Sequence, residues 1–265
     1  MDLEGARALV TGATGGLGAA IARKLHSRGA IVVLSGRRGD VLEQLRGELG
    51  GRAEVMVADL SDRATAEALP ARVGRVDVLV ANAALPASGD LMSFSPEQID
   101  RALDVNLRVP IQLARAFAPA MKERGFGHQV FISSISGKVA AAGSSLYSAT
   151  KFGLRGFALG LREDLYGSGV GVTTVFPGFI RDAGMFADSG AKLPFYVRTR
   201  TPVQVAKAVA QGIEKDKLEI DVAPLGVRVS AKLAGVAPGT TGTLQRRLGG
   251  PELSAQIATG QTSKR

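Results

Sequence analysis

Seven short apolar runs recur along the chain, at Ala6–Val10, Ile31–Ser35, Glu54–Val57, Val76–Ala81, Gln129–Ser133, Gly171–Phe176 and Leu218–Val222, with longer amphipathic segments between them. This rhythm constrains the fold strongly. A strand that is followed by a helix-length crossover returns to its sheet parallel, and runs this uniformly apolar need cover on both faces. The expected fold class is therefore α/β, a predominantly parallel sheet with helices on both faces. At 265 residues and 45% hydrophobic the chain is long enough to bury one large core, and no linker-like stretch divides it. We expect one domain over 1–222, including a loop at 183–200, and a basic C-terminal extension over 223–265. A long helical pattern from about Pro96 to Arg124 contains Pro110 and Pro119, which predict a kink or break because proline has no N–H for the preceding turn.

The chemistry-bearing residues fall at the ends of these runs. After the first strand comes Thr11-Gly12-Ala13-Thr14-Gly15-Gly16-Leu17-Gly18, leading into a helix that begins about Gly16. Glycines at such a joint let the backbone approach a pyrophosphate, and a helix N-terminus offers free N–H groups to it. Tyr147 and Lys151, in Tyr147-Ser148-Ala149-Thr150-Lys151, share one helix face, so an ammonium there is expected to favour the ionised phenol. Ser134 ends the apolar run Val130-Phe131-Ile132-Ser133-Ser134, and Asn106 lies upstream in Leu103-Asp104-Val105-Asn106.

In this order and spacing the motifs resemble those of the short-chain dehydrogenase/reductase family, in its single-domain branch, from about Ala6 to Ile220. The resemblance implies a Rossmann-like, doubly wound, seven-stranded sheet, a bound nicotinamide dinucleotide, and a catalytic group made of Asn106, Ser134, Tyr147 and Lys151. Tyr147 would hand a proton to a carbonyl oxygen that Ser134 also bonds. Lys151 would depress the tyrosine pKa and hold the nicotinamide ribose, and Asn106 would fix a water behind it. Ser134 is preferred over Ser133, Ser136, Ser144 and Ser145 for its spacing to Tyr147 and Gly137. Cofactor contacts are expected from Gly12, Thr14, Gly15, Gly16, Leu17, Gly18, Asp59, Leu60, Asn82, Ala83, Tyr147, Lys151, Pro177, Gly178 and Ile180. The implied activity is reduction of a ketone or aldehyde, or oxidation of the matching alcohol. An NAD-dependent alcohol or steroid dehydrogenase and a non-catalytic dinucleotide-binding regulator are the alternatives.

Cofactor choice is read at Val33-Leu34-Ser35-Gly36-Arg37-Arg38. An NAD site places a carboxylate there for the ribose hydroxyls; Gly36 stands in its place, and Arg37 and Arg38 suit the 2′-phosphate of NADP(H). Two departures from the family pattern stand out. Ala84 replaces glycine in Ala81-Asn82-Ala83-Ala84, which puts close backbone approach in doubt. Asp182 follows Pro177-Gly178-Phe179-Ile180-Arg181 where threonine is common, and is expected to face away from the phosphates.

The loop from Ala183 carries Met185, Phe186, Leu193, Pro194, Phe195 and Tyr196, and with Ala140-Ala141-Ala142-Gly143 it suggests a roomy apolar pocket for a lipophilic small molecule. With no cysteine and two histidines, thiolate and zinc chemistry are excluded and no metal is expected. No signal segment or bilayer-length run is seen, so a cytoplasmic place is expected. The net charge of +9 admits nucleic acid or an anionic membrane as partner, but no nucleic-acid recognition module stands out. The resemblance also implies a homodimer or homotetramer through the Tyr147 helix and the long helix before it, with apolar surface from Phe152, Leu154, Phe157 and Leu161, some of which must instead face the sheet. The tail beyond Ala223 carries Arg228, Lys232, Arg246, Arg247, Lys264 and Arg265 against Glu252, so its apolar residues either dock on the body or a neighbouring subunit, or lie on an anionic membrane surface.

Overall fold

The structure, a computed structural model, describes residues 1–191, 193, 198–247 and 250–262. Seven parallel strands form one sheet in the order β3-β2-β1-β4-β5-β6-β7. They are β1 (Arg7–Thr11), β2 (Ile31–Gly36), β3 (Ala53–Val57), β4 (Val78–Ala81), β5 (Gly127–Ile132), β6 (Val170–Pro177) and β7 (Glu219–Val222). All seven expected runs are strands. Their pleat sorts side chains between two cores. Ala8 and Val10 join one cluster with Ile21, Leu25, Leu42, Val209 and Ile213, whereas Leu9 joins the other with Leu69, Leu113, Phe131 and Leu154. Truncation of the fully buried Leu9 to alanine would cost about 2–5 kcal/mol.

The helices that cover these faces are α1 (Gly16–His26), α2 (Gly39–Leu49), α3 (Arg63–Val73), α4 (Pro96–Leu103), α5 (Val109–Arg124), α6 (Ser145–Asp164), α7 (Met185–Ser189) and α8 (Pro202–Lys215). Local chemistry starts several of them. Asp62 caps α3 by accepting from the Thr65 N–H, and reciprocal capping boxes, Ser95 with Gln98 and Thr201 with Gln204, start α4 and α8, each followed by proline. The long pattern from Pro96 breaks at Asp104–Arg108, one π-helical turn in which the Val109 N–H bonds the Asp104 carbonyl. Pro110, just beyond, has no N–H to offer Asn106, which is the expected cause; Pro119 is carried inside α5 without ending it.

The chain reverses its winding between β1, which feeds β2 on one side, and β4 on the other. Crossovers that leave on opposite sides of adjacent strands open a crevice at the carboxyl ends of β1 and β4. The extension after β7 is helical, α9 (Leu225–Val236), α10 (Pro238–Arg247) and α11 (Gly250–Gln261). Among the described residues no helix is long and apolar enough to cross a membrane.

Candidate active site

A cleft of about 1160 Å³ runs across the carboxyl ends of the central strands, lined from Gly12–Gly18 at one end to Ser134, Tyr147 and Lys151 at the other. Its floor at the first end is the β1–α1 turn. Gly12 has φ 68°, a left-handed conformation that favours glycine, and a Cβ there would sit 2.9 Å from the Ala83 Cα. A Cβ at Gly18 would collide with the Gly12 carbonyl. The N-cap of α1, Gly15, supplies no side chain to cap the helix, so the turn is a backbone cradle of the kind that takes an anion. Asn82 holds this cradle: its Nδ2 donates to the carbonyls of Thr11 at 2.9 Å and Gly12 at 3.3 Å, and the N–H groups of Asn82 and Ala83 donate to Thr11 Oγ1. Ala84 has no positive φ, so the missing glycine imposes no strain.

Gly36, Arg37, Arg38, Asp59 and Leu60 line the cleft beyond the turn. A Cβ at Gly36 would lie 2.9 Å from Thr14 Cγ2, so a carboxylate-bearing side chain would fit there only if Thr14 moved. Arg38 donates to the Thr14 carbonyl at 2.6 Å, while Arg37 is exposed. Asp59 accepts from the N–H and hydroxyl of Ser61; the helix cap nearby is Asp62 instead. Asp182 has φ 70° and an exposed side chain 3.4 Å from Arg181 Nε, at the cleft's edge. Pro177 and Gly178 line the wall, and Ile180 packs into the core beneath it.

At the other end, Ser134 accepts from the Ser136 N–H at 3.1 Å, which leaves its own proton to turn towards the neighbouring Tyr147. This approach depends on Gly137, where a Cβ would sit 2.7 Å from the Lys151 carbonyl oxygen. Lys151 is buried, donates from Nζ to the Ile132 carbonyl at 3.0 Å, and lies 5.7 Å from the Tyr147 ring centroid. The neighbouring serines are structural: Ser133 donates to the Lys151 carbonyl, and Ser144 to the Ala141 carbonyl.

One expectation needs correcting here. Burial, not the lysine, dominates the phenol, pushing Tyr147 up to about 12 against the opposing bond from Ser134, and it pulls Lys151 down to about 8. The ammonium gives one hydrogen bond to a strand carbonyl, and its charge beside the ring does not outweigh that burial. Asn106 is fully buried and outside the cleft lining, its Oδ1 accepting from the Leu85 N–H at 2.7 Å and its Nδ2 donating to the Leu85 carbonyl at 2.9 Å. Its side chain thus fixes the strand-to-loop exit after β4. The Asn106 carbonyl is the group that Pro110 cannot serve.

The remaining wall also differs from expectation. Met185 and Phe186 line it as expected, with Phe186 edge-on to Phe179 at 5.1 Å, but Ala140–Ala142 are exposed and contribute nothing to the lining. Pro194, Phe195 and Tyr196 lie outside the described residues. The sequence reading missed Leu85, Pro86, Val227, Ile257 and Gln261. The last three come from the C-terminal extension, which folds back over the cleft. Val227 and Ala231 pack with Ile135 and Phe176, and Gln261, 3% exposed, donates to the Met185 carbonyl at 3.0 Å. No local motif marks them.

Residues 6–194 match the profile of the short chain dehydrogenase family. The ketoacyl reductase HetN of Nostoc sp. is 35% identical over 227 residues, covering 83% of this chain and 79% of its own length. The NADP-dependent 3-hydroxy acid dehydrogenase YdfG of Escherichia coli (strain K12) is 36% identical over 213 residues, 76% of this chain and 86% of its own. Among solved structures, a short-chain dehydrogenase from Sphingobium yanoikuyae in complex with NADPH superposes with a TM-score of 0.77 at 29% identity, covering 89% of this chain and 94% of its own. By sequence, by strand order and by these relatives, the chain belongs to the short-chain dehydrogenase family.

Proposed function

We propose that the protein is an NADP(H)-dependent oxidoreductase that reduces a ketone or aldehyde carbonyl, or oxidises the matching secondary alcohol, on a hydrophobic small molecule. The observation that carries this reading is the meeting of Ser134, Tyr147 and buried Lys151 in the same cleft as the glycine turn. The turn from Gly12 to Gly18 fits a pyrophosphate, and Arg37 and Arg38 at the mouth fit a 2′-phosphate. The crowding of Gly36 by Thr14 favours NADP over NAD, as do the NADP-dependent YdfG and the NADPH-bound neighbour.

When bound, the cofactor supplies or accepts hydride at the substrate carbon. The chain's own residues then manage the oxygen. Tyr147 donates a proton to it, and Ser134, already oriented by the Ser136 N–H, donates a hydrogen bond as negative charge develops. The Lys151 cation beside the tyrosine offsets the phenolate that proton transfer leaves. Asn106 secures the backbone at Leu85, which lines the substrate side. Met185, Phe186, Val227 and Ile257 supply an apolar wall, which supports a lipophilic substrate. A regulator that only bound dinucleotide would have no use for a buried lysine beside a tyrosine. The proposed setting is cytoplasmic.

The test is to follow NADPH consumption over a panel of ketones, aldehydes, acyl thioesters and steroids. Turnover of one class with NADPH preferred over NADH is expected; no turnover of any class, with NADPH bound, would leave only the regulator. Subunits are proposed to pair through α5 and α6, where Ile111, Ala118, Pro119, Phe157 and Leu161 line a groove. Of Phe152, Leu154, Phe157 and Leu161 on α6, Leu154, 1% exposed, is the one that belongs to the buried core. A mass measurement in dilute solution should show a dimer or tetramer, and monomer alone would refute the pairing.

A further inference from the structure

The helix α9 is apolar on two opposite faces. Its inner face carries Val227 and Ala231, which dock against Ile135, Phe176 and Ala223, and the buried Ala234. Its outer face carries Leu225, Val229, Leu233 and Val236, which are 70, 47, 57 and 88% exposed. At helical spacing these four form one stripe, about opposite the docked residues. Beside the stripe Arg228 and Lys232, four apart on the same side, are exposed. A stripe of four large apolar side chains is more than scattered surface hydrophobics explain, and it marks an interaction surface.

Charge decides the occupant. From Val222 to Pro251 the sequence has no acidic residue and four basic ones, Arg228, Lys232, Arg246 and Arg247. A second copy that paired stripe to stripe would bring the same cations towards their own images, with no carboxylate on α9 or α10 to meet them. An anionic lipid surface meets both requirements at once, taking the apolar stripe into the acyl boundary while its headgroups pair with the cations. We infer that α9 is an interfacial helix that docks the enzyme on an anionic membrane. Val227, on the inner side of the same helix, lines the cleft, so docking would bring the substrate wall close to the lipid phase.

The inference does not depend on the proposed reaction, and it is tested on the full chain by co-sedimentation with vesicles. Phosphatidylcholine vesicles and vesicles containing phosphatidylglycerol are compared at low and high salt, with NADPH binding as the control for folding. Binding only to the anionic vesicles, weakened by salt, is expected. The pair Arg228→Gln and Lys232→Gln should lower it about 30-fold, and the pair Leu225→Ser and Leu233→Ser at least about tenfold, both with NADPH binding unchanged. Failure of the parent chain to sediment with anionic vesicles would overturn the inference. So would serine variants that alter the mass of the oligomer but leave vesicle binding intact, since the stripe would then be a contact between copies.

Discussion

The pH dependence of turnover tests the division of labour between Tyr147 and Lys151 most directly. Burial has pushed the phenol up to about 12, so the proton donor is loaded at every pH an enzyme assay reaches. Burial has pulled the ammonium down to about 8, so the cation beside it is lost just above neutrality. If Lys151 must be charged to offset the phenolate formed on proton transfer, kcat/KM for NADPH in the reducing direction, which reports groups of the free enzyme, is flat below pH 8. Above it the value falls with the fraction of charged lysine, about tenfold by pH 9 and about 100-fold by pH 10. The assay is the initial rate of NADPH absorbance loss with the best carbonyl substrate at saturation, with circular dichroism at each pH to confirm that the fold persists. Lys151→Arg keeps a charge that does not titrate in this range, so any activity it retains should lose the break near 8. A parent profile that stays flat to pH 10 would refute the argument, as would a break near 8 that persists in the arginine variant.

Other consequences can be read from single sites. Tyr147→Phe removes the proton donor and should lower turnover about 10²-fold or more while NADPH binding is retained, by single-turnover assay and by fluorescence titration; rates within a factor of two of the parent would sink the assignment. Arg37→Ala with Arg38→Ala should weaken NADPH by at least about tenfold and NADH little, since each charge-assisted bond to the 2′-phosphate contributes about 1.5–3 kcal/mol; equal weakening of both would make the arginines nonspecific. His128, buried with its Nε2 2.8 Å from Thr173 Oγ1, is held down to about 3 by desolvation. Thr173 donates its proton to the Lys217 carbonyl and so accepts from the ring, which fixes the tautomer with its proton on Nε2. Because the folded value lies below the unfolded one of 6.5, this contribution is complete above pH 6.5 and is lost as pH falls towards 3. Urea unfolding at pH 5.5 and at pH 8 should show a loss of about 1.4 kcal/mol that His128→Gln lacks; equal losses in both proteins would exclude the histidine.

What the sequence determined by itself were the features whose cause is local. Strand after strand was legible because β-branched and leucine-rich runs of strand length, parted by helix-length crossovers, leave a parallel sheet as the arrangement that covers both faces. The glycine turn was legible for the same reason: Gly12 and Gly18 stand where a side chain would meet backbone, a restriction written into residue type. Tyr147 and Lys151 lie on one helix, so four-residue spacing was enough to bring them together.

Tertiary structure decided everything that depends on distant segments meeting. The strength of the tyrosine as an acid was misjudged because spacing reports proximity, whereas the pKa follows the burial that the whole fold imposes. Asn106 was found by motif, yet its engagement with Leu85 depends on a π-helical turn that residue pattern does not specify. The substrate wall was placed on Ala140–Ala142 and is instead closed by Val227, Ile257 and Gln261, far along the chain. A side chain's neighbours across such a separation are set by how helices pack on the sheet. Helical periodicity identifies which residues of α9 share a face, and the docking of Val227 and Ala231 on Phe176 determines which of its two apolar faces is left to solvent.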